Sequence, residues 1–373
     1  MNRKGTVICV GNFELPDKNA AANRVVNNAK LFRELGLNTV FLGACRGEQF
    51  DGVKKREFDD GFDMFEQAYP ASTVQWVRQI FDMKNLQTVV RQYPDTVAVM
   101  LYNTQLATVW AARCAFSGSG IRILYDCTEW NATTDGSFIK RAVKNADSKM
   151  IEKRLARYCD GLIVVSSLMA KQYEKKDPLL LPPLVDILDP IWNQVTAPQE
   201  HFTFCYAGAP SDKDRMDLLT EAFAALPEDV AKLRIIGLTE AEYTANGGRS
   251  VPEGVCFTGR LSHTEAVREI LCCDCFIFLR ETSRRNSAGF PTKFTEAFTC
   301  GVPIITTAVS DVPLYADDAC TILQDVSLDG VLNAMRKVIS VLRGSRALNS
   351  AFDYRNYADA CGRWLERTLC KED

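Results

Sequence analysis

Short apolar runs alternate with amphipathic stretches along the whole chain. Runs at Thr6–Val10, Thr39–Leu42, Val97–Tyr102, Ile121–Tyr125 and Leu162–Ser166 are nearly unbroken, the pattern of strands buried on both faces. Between the first two, Ala20–Leu35 sets Val25, Ala29, Phe32 and Leu35 on one helical face, and Gly36 follows where a C-terminal cap belongs. A further helix is predicted over Met150–Tyr158. The second half repeats the scheme, with strands predicted at Phe202–Tyr206, Leu233–Ile236, Val255–Thr258, Cys275–Leu279, Pro303–Thr306 and Cys320–Leu323. Helices are predicted over Arg215–Leu226, Thr264–Leu271, Phe294–Phe298, Leu328–Leu342 and Tyr354–Leu369. The stretch Leu181–Gln199 carries Pro182, Pro183, Pro190 and Pro198, which block helix continuation and mark a linker. The expected fold class is α/β: two doubly wound, Rossmann-like domains facing a cleft, with ligands at the carboxyl ends of their strands.

Composition narrows the function. With 373 residues and 47% hydrophobic content there is apolar material for two cores. Lys and Arg number 44 against 47 Asp and Glu, so no dominant positive field exists to hold nucleic acid. The opening MNRKGTVICV reads as a first buried strand rather than a signal peptide, and no run approaches the ~20 apolar residues of a membrane span. The expected location is the cytoplasm or the periphery of a membrane. The 14 Cys are scattered, many inside apolar runs, and behave as small core hydrophobes. Cys272, Cys273 and Cys275 lack a second Cys pair at zinc spacing, so no metal is expected there.

The dinucleotide fingerprint is missing: Gly11-Asn12-Phe13 follows the first strand, and Gly118-Ser119-Gly120 precedes a strand instead of following one. More informative is Arg280–Thr306. A polar, Arg-rich loop leads to Ala288-Gly289-Phe290-Pro291, then to a helix carrying Thr292, Lys293 and Glu296. Gly289 permits close backbone approach, and Pro291 suits a first helical turn, whose free N–H groups favour an anion.

This stretch resembles glycosyltransferase family 4, the retaining enzymes of GT-B fold. Gly289-Phe290-Pro291, Glu296-Ala297 and Gly301-Val302-Pro303-Ile304-Ile305 stand in the family's register, with Ala288 where the family has its first Glu. The resemblance gives Glu296 the role of binding the ribose hydroxyls of a nucleotide. A second segment, Tyr206-Ala207-Gly208-Ala209-Pro210-Ser211-Asp212-Lys213-Asp214, matches the family's glycine-bearing strand end followed by a diphosphate-gripping Lys, here Lys213. The family's Arg is Ala209, so Arg280, Arg284, Arg285 or Lys293 is expected to supply the missing cation. Asp212-Lys213-Asp214 superficially forms an Asp-x-Asp metal motif. Lys213 opposes a bound cation there, and helix capping by one aspartate is expected instead. Met150–Lys175 and Leu181–Asp186 also follow the family's pattern.

The resemblance implies residues 1–186 as an acceptor-side domain, 187–201 as a Pro-rich linker and 202–352 as the donor domain. Residues 353–373 form a helix packing back on the first domain. Catalytic roles are expected for Lys213, Arg280, Lys293 and Glu129. Donor contacts are expected from Gly208, Lys213, Ala288, Gly289, Phe290, Pro291, Thr292 and Glu296. Acceptor contacts are expected from Gly11, Asn19, Asn23, Arg24, Asp126 and Trp130. The partners implied are a nucleotide-sugar donor and a sugar, glycolipid or glycan acceptor, with no cofactor and no metal. His201 and His263 both lie outside the first domain, which suits a retaining transfer needing no protein base. The alternatives are a GT-B-like sugar-nucleotide epimerase and an inactive sugar-nucleotide- or partner-binding relative.

Overall fold

The structure is a computed structural model. It describes all residues except 1–4, 17–18, 59, 131–137, 196–198, 209–212, 246–250, 341–345 and 371–373. The chain divides into two compact units, Met1–Val185 with Tyr354–Asp373, and Asp186–Asp353.

The first unit holds β1 (Thr6–Gly11), β2 (Asn38–Cys45), β3 (Lys54–Arg56), β4 (Asp63–Ala68), β5 (Thr96–Tyr102), β6 (Arg122–Cys127), β7 (Gly161–Val164) and β8 (Leu179–Leu180). They form one sheet in the order β3-β4-β2-β1-β5-β6-β7-β8, parallel except for the antiparallel edge strand β3. Every residue of β1 and β7 is buried, as a parallel sheet covered on both faces requires. Helix Ala20–Glu34 starts at Asn19, whose side chain accepts from the Ala22 N–H at 2.9 Å. The final helix, Ala358–Leu369, buries Cys361, Trp364 and Leu365 in the same core as Val7 and Leu124. A Cβ on Gly161 would stand 2.7 Å from the Trp364 ring, so glycine is what lets this helix reach the sheet.

The second unit holds β9 (Phe202–Ala207), β10 (Ala231–Ile236), β11 (Val255–Gly259), β12 (Cys275–Phe278), β13 (Ile304–Thr307) and β14 (Cys320–Leu323). Their order, β11-β10-β9-β12-β13-β14, is the doubly wound one, entirely parallel, with its reversal between β9 and β12. Phe290, Phe294, Phe298, Tyr315 and Phe352 form one aromatic cluster at helix Thr292–Thr299: Phe290 meets Phe294, Tyr315 and Phe352 edge-on, and Phe294 stacks on Phe298.

Several elements differ from the sequence expectation. The helix expected at Met150–Tyr158 is the end of a longer one, Phe138–Arg154, closed by a 3-10 turn at Leu155–Arg157. Within the stretch expected as linker, Pro190 heads a 3-10 turn capped by Asp189. This turn buries Trp192, whose Nε1 donates to the Asp186 carbonyl at 2.8 Å. The loop expected after Arg280 contains a short helix, Arg284–Ala288, capped by Ser283.

Candidate functional site

Two chain segments meet at the switch point of the second sheet. The segment after β9 is laced to the end of β12: Arg215 N donates to the Leu279 carbonyl at 2.8 Å, and Glu281 N donates to the Lys213 carbonyl at 3.2 Å. Asp214 and Arg280 pair across this bridge. Oδ1 of Asp214 accepts from Arg280 Nε at 3.1 Å and Nη2 at 3.0 Å. Oδ2 accepts from Lys293 Nζ at 2.7 Å and from the Tyr206 hydroxyl at 3.0 Å. Lys293 Nζ also donates to the Tyr206 hydroxyl and stands 4.2 Å from its ring centroid. Two cations therefore surround one carboxylate, leaving a surplus positive charge where ligands of such sheets bind.

Asp214 is almost fully buried, with 1% of its side chain exposed, while Arg280 and Lys293 keep a little over a tenth. Burial alone would raise the Asp214 carboxyl, but Lys293 and Arg280 outweigh it and hold the carboxyl below its usual range. Burial pushes the Lys293 ammonium down to about 8, against the pull of Asp214 and with help from Arg280. Asp214 thus anchors the cluster. It does not cap the following helix, whose N-terminal residue Arg215 makes no side-chain cap bond. Asp212 and Ala209 lie outside the described residues.

Gly208 follows β9 with φ of 111°, and a Cβ there would stand 2.8 Å from Lys293 Cε. The missing side chain is what lets Lys293 cross to Asp214. Glu296, one turn further along the same helix, does not pair with Lys293. Its Oε1 lies 3.2 Å from Nε2 of His263, the first residue of helix His263–Cys272. His263 in turn meets the edge of Trp192, with ring centroids 6.5 Å apart. Nothing local in the sequence marks His263 as the partner of Glu296, which lies 33 residues away.

The remaining expected donor residues sort by exposure. Ala288, Phe290 and Pro291 are buried, so their side chains are withdrawn from any ligand: Phe290 belongs to the aromatic cluster. Gly289, Thr292, Lys213 and Glu296 stay partly exposed. Ala288, expected to touch the donor, is fully buried.

In the first unit, Arg24 and Asp126 are turned away from solvent toward each other. Arg24 Nε and Nη2 donate to the two Asp126 oxygens at 2.9 and 2.7 Å, and Nη1 donates to the carbonyls of Leu181 and Pro182. Asn28 adds a third bond to Asp126 at 3.1 Å. This is a buried strut joining a helix, a sheet and the chain after β8, and it replaces the expected acceptor contact. Trp130 is core, and Gly11 is buried against Tyr102. Asn19 caps a helix, and Asn23 and Glu129 are half-buried. A pocket at the carboxyl ends of β1, β2 and β5 has Gly11 in its lining, together with Asn12, Gln67, Tyr69, Trp76 and Gln79. Among the described residues no group of three or more His, Cys, Asp or Glu side chains is arranged to hold a metal. No described helix is long and apolar enough to cross a membrane.

Two doubly wound sheets, one per unit and parallel but for the edge strand β3, define an α/β architecture of the GT-B class. The family Glycosyl transferases group 1 matches residues 190–340, which contain the Asp214 cluster and Glu296. Sucrose-phosphate synthase from Thermosynechococcus elongatus is similar in structure, with a TM-score of 0.67 at 13% identity, over 98% of this chain and 96% of that one. The catalytic domain of starch synthase IV from Arabidopsis thaliana, bound to ADP and acarbose, has a TM-score of 0.67 at 9% identity, over 98% and 100%. Anabaena HepE in complex with UDP and glucose has a TM-score of 0.61 at 11% identity, over 98% and 95%. At these identities the likeness is one of fold. No curated protein sequence matches the chain.

Proposed function

We propose that this protein is a retaining glycosyltransferase that moves a sugar from a nucleoside-diphosphate donor to a hydroxyl acceptor. The observation that carries the reading is the cation pair Arg280 and Lys293 around one buried carboxylate, at the switch point of the second sheet and beside Gly208. A departing nucleoside diphosphate develops negative charge on its phosphate, and fixed cations stabilise that charge in the transition state. Arg280 and Lys293 supply the positive charge that the family's Arg would have given, and Lys213 joins them on the neighbouring segment. Because these cations belong to the chain itself, the reaction is expected to run without a divalent ion. Glu296 takes the ribose hydroxyls, held from behind by His263.

The nucleoside diphosphate leaves the anomeric carbon as the acceptor oxygen bonds to it on the same face, so the leaving phosphate oxygen takes the acceptor proton. This route asks for no protein base, and the buried Ala288 methyl at the first Glu position supplies none. The first unit takes the acceptor. UDP and ADP in the similar structures support a nucleoside diphosphate as the group bound. Incubation with a panel of nucleoside-diphosphate sugars tests the reading: free nucleoside diphosphate should accumulate with one donor, and the product should keep the donor's anomeric configuration by NMR. An isomerised but intact donor would instead mark an epimerase.

A further inference from the structure

The first unit carries a second surface that sugar transfer by itself does not require. Helices Thr73–Phe81, Leu106–Ala115 and Phe138–Arg154 follow β4, β5 and β6. Right-handed crossovers in this strand order place all three on one face of the sheet, opposite Ala20–Glu34. Thr73–Phe81 packs on Leu106–Ala115, which packs on Phe138–Arg154. Among the described residues, every large apolar side chain that the first unit exposes stands on this layer: Val74, Val77, Phe81, Trp110, Val143 and Met150, each between 43% and 79% exposed. Thr73–Phe81 buries none of its residues.

The charges on the same layer are one-sided. Arg78, Arg141, Lys144, Lys149, Lys153 and Arg154 are exposed. The carboxylates of Phe138–Arg154 are drawn inward: Asp147 is half-buried and accepts from Leu106 N at 3.1 Å, and Glu152 is half-buried. Exposed apolar side chains interleaved with cations, on a helical layer rather than in a groove, match the interface of an anionic bilayer. We propose that this layer docks the protein on anionic membrane lipid.

The docking has a consequence for the acceptor, which rests on the proposed glycosyl transfer. The helix that presents Val74, Val77 and Phe81 outward sends Trp76, Gln79 and Ile80 into the pocket at the carboxyl ends of β1, β2 and β5. An aromatic wall beside amide side chains suits a sugar ring and its hydroxyls. The acceptor class is thus a glycolipid, presented to that pocket from the membrane.

Flotation of the full chain with phosphatidylcholine vesicles, with and without phosphatidylglycerol, tests the docking. Binding should require phosphatidylglycerol and weaken with salt. Lys144→Gln with Lys149→Gln should weaken it about thirtyfold, and Val77→Asp with Phe81→Asp should abolish it. Both variants should keep the wild type's circular dichroism and unfolding midpoint, which shows that the first unit folds, and should bind nucleoside diphosphate in the second unit like the wild type. No binding, equal binding to both vesicles, or variants that float like the wild type would overturn the docking. So would a self-association on gel filtration that Val77→Asp with Phe81→Asp dissolves, since a second copy would then cover the layer. Loss of nucleotide binding with vesicle binding intact would count against the donor site alone.

Discussion

Nε2 of His263 and Oε1 of Glu296 lie 3.2 Å apart, joining the first turn of one helix to the middle of another. Lys293, three residues before Glu296, turns the other way to Asp214. One short helix thus serves two tasks, a carboxylate steadied by a histidine and an ammonium steadied by a carboxylate.

The histidine contact predicts a graded effect on nucleotide binding. A hydrogen bond of this kind contributes ~0.5–1.5 kcal/mol. His263→Ala should therefore weaken nucleoside diphosphate binding by about two- to tenfold, and His263→Gln should recover part of it. Calorimetric titration measures both, and unchanged affinity in His263→Ala would remove the histidine from the site.

Lys293 predicts a pH dependence. Its folded value is about 8, against 10.5 for an ordinary lysine. Above pH 8 the ammonium loses its proton and the cluster its surplus charge, so diphosphate affinity should fall by up to about tenfold per pH unit. Binding near pH 8 should draw a proton from the buffer, visible as a calorimetric enthalpy that varies with the buffer's ionisation enthalpy. Lys293→Met should flatten the profile, and an equally steep profile in that variant would contradict the assignment. The stability sign is opposite: between the two values the unfolded chain holds a proton that the folded chain has shed, so Lys293 makes folding more favourable as pH rises.

Asp214 predicts a stability effect. Asp214→Asn removes the charge that compensates Arg280 and Lys293 and should destabilise the second unit by about 3–5 kcal/mol. The carboxyl is held below its ordinary value, so its contribution is fully present above about pH 3.9 and is lost as pH falls toward the folded value. Denaturant unfolding at neutral and acid pH should show the gap between variant and wild type closing with acid. A gap that stays constant would mean that Asp214 is not held charged by its partners.

The strands were legible wherever the sheet is covered on both faces, because burial writes an unbroken apolar run, as in β1, β7 and β12. The edge was not: Lys54-Lys55-Arg56 is wholly polar, and its place is set by pairing with β4 and by ion pairs to Glu48. The loop-to-helix stretch around Glu296 could be placed from glycine, proline and a helical period. The partners of its side chains could not. His263 lies 33 residues from Glu296, Arg280 lies 66 from Asp214, and Asp126 lies 102 from Arg24. Asp-Lys-Asp looked like a metal or capping motif because its spacing is local, whereas the role of Asp214 is set by cations that only the sheet brings near. Arg24 reads from the sequence as an acceptor contact, and only the packed structure shows the carbonyls and carboxylate that hold it inside.

The most direct test is calorimetric titration of the wild type and Glu296→Ala with a nucleoside diphosphate and with its 2′-deoxy form. A hydrogen bond to a charged group contributes ~1.5–3 kcal/mol. The wild type should prefer the ribose form, and Glu296→Ala should lose about ten- to a hundredfold in affinity together with that preference. Equal binding of both nucleotides by the wild type, matched by the variant, would contradict the assignment of a nucleotide site to the second unit's switch point.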